Sequence, residues 1–237
     1  MVHDYARNVR QLRPRLQGRR SPRSHSPARS GPGRGSRRVA MLDLVFPSLP
    51  WEARAFLASL ATYHVSEYAI AWAYNRPLLS RDSWLLSTPY CVAMLAGCAE
   101  YALELALGFD ASRRLESVRL LGLAMVVAGD ALRKTAEITA RHNFTHKIMT
   151  RRRAEHVVVR CGVYRHVRHP GYLGWFVWSV GTQVLLCNPA CVVAFTVAAW
   201  RFFADRIPVE EEHLRRMFPG EYAAYAAVTP TWIPGIP

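Results

Sequence analysis

From residue 41 onward the chain alternates long apolar runs with short charged loops. A first run covers about 54–74, a second about 84–108 and a third about 117–138, followed by two shorter ones, Tyr172–Cys187 and Ala190–Ala204. A membrane-spanning helix needs roughly 20 mostly apolar residues, so the first three runs are long enough to cross. The second, WLLSTPYCVAMLAGCAEYALELALG, and the third, centred on LLGLAMVVAG, are the clearest. The first is weaker, because it carries His64, Ser66 and Glu67, and ionisable residues inside a span are costly and face the bundle interior. A soluble bundle would need a polar stripe on each helix, yet residues 172–204 hold no charge before Arg201. The pattern predicts an all-α integral membrane fold, a bundle of about five spans ending in a helical hairpin and a cytosolic amphipathic helix.

The hairpin is read from Cys187-Asn188-Pro189 between the last two runs. Asn is a favoured N-cap and Pro a favoured first helical residue, so the chain turns tightly and restarts its helix at residue 189. The segment before the hairpin (Tyr164–Tyr172) and the one after it (Arg206–Glu210) must then emerge on the same side. Between residues 141 and 168 there are eight Arg and Lys residues, and Arg206, Arg215 and Arg216 follow the hairpin. Basic loops stay cytoplasmic, which places this neighbourhood in the cytosol. Five spans counted back from a cytosolic C-terminus put the N-terminal head in the lumen, against the same rule. That conflict disappears if the first run stops short of a full crossing or the head is extraneous.

Charge is concentrated in that head. Residues 1–40 hold 11 Arg and one acid, Asp4, leaving only +4 of the net +14 for residues 41–237. Arg, Ser, Pro and Gly with almost nothing to bury cannot offset the entropy of ordering, so 1–40 reads as a disordered, solvated head. A transit peptide has a similar composition. No nucleic-acid partner is expected, since no aromatic residue beyond Tyr5 lies among the arginines. The membrane-embedded domain is 41–237. Its five cysteines, Cys91, Cys98, Cys161, Cys187 and Cys191, form no CxxC pair and suggest neither a disulfide framework nor a metal site.

Three constellations stand out by residue type. One is Gly162-Val163-Tyr164 followed by Arg168-His169-Pro170-Gly171-Tyr172-Leu173-Gly174-Trp175. Another is Arg201-Phe202-Phe203-Ala204-Asp205-Arg206-Ile207, and the third, Glu210-Glu211-Glu212-His213-Leu214, opens the amphipathic helix running through Phe218 and Tyr222. Arg206 and Glu210 have the i,i+4 spacing that shares a helix face, although Pro208 between them removes a backbone donor. Taken singly, each has an ordinary reading. Arg206 could be a snorkelling anchor, the Glu run a dipole complement, and His169 a loop residue.

Together, with HVSEYAIAW, LGLAMVVAGDALRKTA, HNFTHKI and the continuous GVYRHVRHPGYLGWFVWSVGTQVLLCNP, they make residues 60–237 resemble the isoprenylcysteine carboxyl methyltransferase family. The RHPxYxGW element, the Asn-Pro turn and the RFFxxRI–EE element carry the likeness. The first 40 residues have no counterpart, and the chain resembles a short form. The resemblance implies methylation of the C-terminal carboxylate of S-prenylated cysteine in processed CaaX proteins, small GTPase-like substrates among them, with S-adenosyl-L-methionine as donor and no metal. It also implies a multi-pass endoplasmic reticulum enzyme with its site facing the cytosol, built within 142–237. By the same resemblance, His156, Val157, Val158, Val159, Tyr164, His169, Pro170, Gly171 and Tyr172 hold the donor. Glu210 contacts the donor as well, and Arg206 engages the substrate carboxylate, making Arg206 and Glu210 the catalytic pair. Four features depart from the family pattern: Met149 stands for a donor-contacting Gln, His156-Val157-Val158-Val159 for a His-Thr-Leu-Val type stretch, Gly171 for the commoner Ser, and Pro208 interrupts the RFFxxRI–EE element.

The residue types suit that chemistry. A C-terminal carboxylate has a pKa near 3.3–3.7, so it is already the nucleophile at neutral pH and no general base is required. Arg206 offers a planar fork for a carboxylate, while Glu210 and the Tyr164 and Tyr172 rings suit a sulfonium. No Gly-rich loop follows a strand, which excludes a soluble Rossmann-type methyltransferase. A methyltransferase for phospholipid or another lipid, a sterol reductase with a similar hairpin, and a non-catalytic membrane scaffold remain the alternatives.

Overall fold

The computed structural model describes residues 49–108 and 116–236. The Arg-rich head, expected to be disordered, lies outside the described residues. Six α-helices follow in order: α1 Trp51–Asn75, α2 Thr88–Ala106, α3 Glu116–Ala140, α4 Pro170–Leu186, α5 Pro189–Met217 and α6 Glu221–Val228. Strands are absent among the described residues, as the apolar pattern predicts.

Contacts fix the directions. Glu52 meets Tyr101 and His64 meets Tyr90, so α1 and α2 run antiparallel. Glu52 with Arg119 and Glu67 with Arg133 make α1 and α3 parallel. The α3–α4 seam is the most extensive in the bundle, and glycine makes it possible. A Cβ at Gly129 would lie 2.5 Å from the Trp178 amide nitrogen, and one at Gly174 would lie 2.7 Å from that of Arg133. Small residues of this kind let helix backbones approach where there is little water to drive packing. Around the seam, Tyr63 stacks on Trp178 at 4.1 Å, within a core that includes Phe56, Val126, Leu185 and Phe195.

The hairpin turn is where expected, but Asn188 does not cap α5 with its side chain. Its Nδ2 donates instead to the Gly97 carbonyl and to Gln183 Oε1, both at 2.9 Å. The carboxylate of Glu100, on α2, accepts the Ala190 and Cys191 amides at 2.8 and 2.7 Å. An anion from another helix thus satisfies the orphan amides and complements the dipole.

One further expectation is revised. No amphipathic helix begins at Glu210, because α5 continues unbroken through Pro208 to Met217. A proline forfeits one i→i−4 bond, and the helix accepts that loss. Among the described residues, moreover, no helix is long and apolar enough to cross a membrane, whereas the sequence pattern had three runs long enough. The reason is visible in the packing. α1 spends Glu52 and Glu67, and α3 spends Arg119, Arg133 and Glu137, on buried positions facing other helices. α4 has 17 residues, about 26 Å at 1.5 Å per residue. Meanwhile Val92, Leu95, Leu121, Val127 and Val193 stand more than half exposed.

Candidate active site

Tyr172, in the first turn of α4, joins the two ends of the hairpin. Its hydroxyl donates to Glu210 and accepts from Arg206 Nε at 2.8 Å. Its ring lies between His169, at 5.3 Å between centroids, and Phe203, at 4.9 Å. The Arg206 guanidinium sits 5.5 Å from the Tyr172 ring and 5.6 Å from that of Phe202. Its Nη2 donates to the His146 carbonyl at 2.7 Å. Arg206 and Glu210 therefore do share a helix face despite Pro208, and one tyrosine holds a cation and an anion side by side. Both are half-buried.

Around this trio the sequence-predicted donor segment takes several routes. Gly171 is buried, with its carbonyl accepting from Arg133 Nη1 at 3.0 Å. Pro170 opens α4 as its first helical residue. Tyr164 offers its carbonyl to the Tyr225 hydroxyl at 2.6 Å. Burial and then the Glu210 charge push the Tyr164 hydroxyl up, so it stays protonated and neutral. His156 is buried and accepts from Arg153 Nε at 2.9 Å. Burial first, then the charge of Arg153, lowers its pKa, keeping it neutral at pH 7. The Val157 amide is tied to Asn143 Oδ1 at 3.0 Å, while its side chain is exposed. Val158 packs on the Phe218, Tyr222 and Tyr225 cluster. Val159 is half-buried, as is Met149. The structure thus brings Arg206, Glu210, Tyr172 and His169 together, with Gly171 beside them, and sets 156–159 on the neighbouring strap.

Two ionic clusters support this arrangement, and sequence reasoning assigned neither. In the first, Arg168 donates through Nε to Glu211 Oε1 at 2.5 Å and through Nη1 to the Ala226 and Thr229 carbonyls. His169 Nε2 lies 3.1 Å from the same Glu211 oxygen. Burial pushes the Glu211 carboxyl up, but the hydrogen bonds and charges of His169 and Arg168 outweigh it and hold it down at about 2. In the second, buried Glu67 accepts from Arg133 at 2.5 and 2.8 Å, from Lys134, and from His146 Nε2 at 2.8 Å. Glu67 was expected to face the interior, and it does. Its partners could not be read from the chain, since they lie more than sixty residues away.

Glu67, Glu137 and His146 bring ligand atoms within 4.8 Å of one another. Arg133 and Lys134 already pair with the same carboxylates. Two cations therefore already sit among these two acids.

Comparison with known proteins agrees with this architecture. Residues 121–216 match the model of the isoprenylcysteine carboxyl methyltransferase family. Protein-S-isoprenylcysteine O-methyltransferase B of Arabidopsis thaliana is 44% identical over 180 residues, spanning 76% of this chain and 90% of that protein. Protein-S-isoprenylcysteine O-methyltransferase of Xenopus laevis is 42% identical over 190 residues, 79% of this chain, which spans 66% of the Xenopus protein's length. The solved structure of a eukaryotic intramembrane Ras methyltransferase, isoprenylcysteine carboxyl methyltransferase, superposes with a TM-score of 0.77 at 33% identity, covering 84% of this chain and 72% of that one. An all-α bundle whose hairpin gathers Arg, Glu and Tyr at one end thus falls in a class of helical methyltransferases. The chain belongs to the isoprenylcysteine carboxyl methyltransferase family.

Proposed function

We propose that the chain is a membrane-embedded methyltransferase that esterifies the C-terminal carboxylate of S-prenylated cysteine in processed CaaX proteins. The observation that carries this reading is the Arg206–Tyr172–Glu210 chain of hydrogen bonds. It presents a fixed guanidinium to an anionic acceptor and a carboxylate with aromatic rings to a cationic donor, a few ångströms apart. S-adenosyl-L-methionine, when bound, supplies an electrophilic methyl group on a sulfonium. The residues that would hold it are His169, Tyr172, Tyr164 and Glu210, with the 156–159 strap alongside; aromatic faces and one negative charge fit such a cation.

The protein's own part is positioning. Arg206 orients the substrate carboxylate, whose oxygen would take the methyl group as the methyl–sulfur bond breaks with its electron pair left on sulfur. No proton moves, and no base is needed. Holding the two partners in line can supply roughly 7–11 kcal/mol. Opposite charges cancel as the reaction proceeds, so a partly dehydrated site favours it.

The membrane reading is supported by an inside-out distribution of side chains. Charges are paired within the bundle while large apolar residues face outward, the arrangement that lipid selects. Average hydropathy counts inward-facing charges that never meet lipid. Five helices alternating in direction, with α4 and the apolar half of α5 as the last two spans, put the Tyr172 end beside the basic 141–168 loop. That end faces the cytosol under the positive-inside rule. Residence in the endoplasmic reticulum and small GTPase-like substrates follow from the family alone.

The test is methylation of a farnesylcysteine analogue by membranes holding the protein, with methyl-labelled donor. Label recovered as base-labile methyl ester is the expected result. Label in phospholipid instead would assign a lipid methyltransferase, and no transfer at all would leave the scaffold reading in its place.

A further inference from the structure

Arg206 is held on two sides by different parts of the chain. One is Tyr172, already part of the site. The other is a main-chain carbonyl, that of His146, in the loop between α3 and the donor strap. A loop carbonyl can fix a long, flexible guanidinium only if the loop is itself fixed. His146 is anchored through its ring, whose Nε2 lies 2.8 Å from Glu67 Oε2 on α1. The ionised carboxylate only accepts, so the ring presents its proton at Nε2. Glu67 is 1% exposed, and Arg133 and Lys134 lock it in place. The path runs from a rigid helix, through a buried carboxylate and a histidine ring, to the carbonyl that aims Arg206.

We propose that Glu67 and His146 are positioning residues for Arg206, a tether from α1 that sets the guanidinium for the substrate carboxylate. This rests on the reading of Arg206 as the carboxylate-binding group. A prop for the fold would serve donor and acceptor alike. The His146 arm is the specific one, since it reaches Arg206 on the acceptor side of the trio, whereas Glu67 also holds Arg133, which donates to the Gly171 carbonyl.

His146→Ala removes the ring while Glu67 keeps Arg133 and Lys134 as partners. It is expected to raise KM for the farnesylcysteine analogue about 3- to 10-fold, the worth of one hydrogen bond. Donor KM and melting temperature should stay at wild-type values. His146→Gln, whose amide can still donate to Glu67, should recover most of the loss. In an Arg206→Lys background, which removes the Nη2 contact to the His146 carbonyl, adding His146→Ala should change KM less than twofold. Unchanged KM in His146→Ala, or a full additional effect in the Arg206→Lys background, overturns the tether while leaving the role of Arg206 intact. Equal losses in donor and acceptor KM, or a lowered melting temperature that His146→Gln does not restore, overturn it in favour of a fold prop. If Arg206→Ala itself methylates normally, the reading of Arg206 fails, whatever His146 does.

Discussion

At the Asn188 end of the hairpin, polar side chains close helix ends and join neighbouring helices. Glu100 takes two amides of α5, Asn188 takes the Gly97 carbonyl, and Glu52 pairs with both Arg119 and Tyr101. At the Tyr172 end the same residue types are tied mainly to one another. Arg206, Tyr172 and Glu210 form one chain, and Glu211 and Glu67 brace it from either side. The first end is closed: each group closes a helix terminus or an interhelical gap, and a ligand would have to break a structural bond to enter. The second is open. Its two opposite charges are half-buried and held apart by a phenol, so each can still meet a ligand of the opposite sign. Burial of polar groups in a helical bundle therefore does not mark a site. What marks it is whether those groups are used up in joining helices or leave charge facing outward.

The sharpest way to break that contrast is to remove a charge at the open end. Arg206→Ala should abolish turnover, a fall of about 100-fold or more in kcat/KM, while donor binding persists. A truncated partner of a buried charged hydrogen bond costs about 2–5 kcal/mol, and the assay is methylation of farnesylcysteine. Normal rates would return Arg206 to the role of a membrane anchor.

Glu210→Gln keeps the shape and loses one charge, which should weaken donor affinity about 10- to 100-fold, the range of a charge-assisted contact. Sinefungin, whose amine imitates the cation, is the ligand to titrate; S-adenosylhomocysteine lacks the charge and should bind both proteins alike. Equal affinity for sinefungin would falsify the donor role of Glu210.

At the closed end, Asn188→Ala should leave both KM values alone and cost about 1–3 kcal/mol of stability, because two buried acceptors lose their donor. A change in KM with unaltered melting would make that end part of the site.

Glu211 offers a pH-dependent version of the comparison. Its folded carboxyl titrates at about 2 against an ordinary value of about 4.3. Its contribution is therefore fully present above pH 4.3 and fades as pH falls toward 2. Glu211→Gln should flatten the acid side of the stability profile, measured by thermal melting, and a superimposable profile would remove Glu211 from the brace.

The smallest effect is expected from deleting residues 1–40. That truncation removes 11 Arg but no residue of either end, and specific activity in membranes should survive it. Loss of activity in correctly inserted protein would give the head a role.

Much of this molecule is legible in the chain. Apolar runs forecast the helices, the Asn-Pro turn placed the hairpin, and the hairpin put Tyr172 beside Glu210 across 38 residues. These are local rules and one topological consequence, and they need no knowledge of packing. The partner of each buried charge lies beyond their reach. Asn188 looks like a cap, yet gives its side chain to α2, because a carboxylate from that helix competes better for the α5 amides. Pro208 looks like a break, yet α5 runs on through it, with Arg206 and Glu210 on either side both bonded to Tyr172. The tether from Glu67 to Arg206 joins α1, a loop and α5, and only folding brings these within hydrogen-bond range. Sequence alone determined which residues could do the chemistry, since side-chain type and helix period are properties of the chain. Tertiary structure decided which of them are held in place and which stay open, because that depends on the distances between groups far apart in sequence.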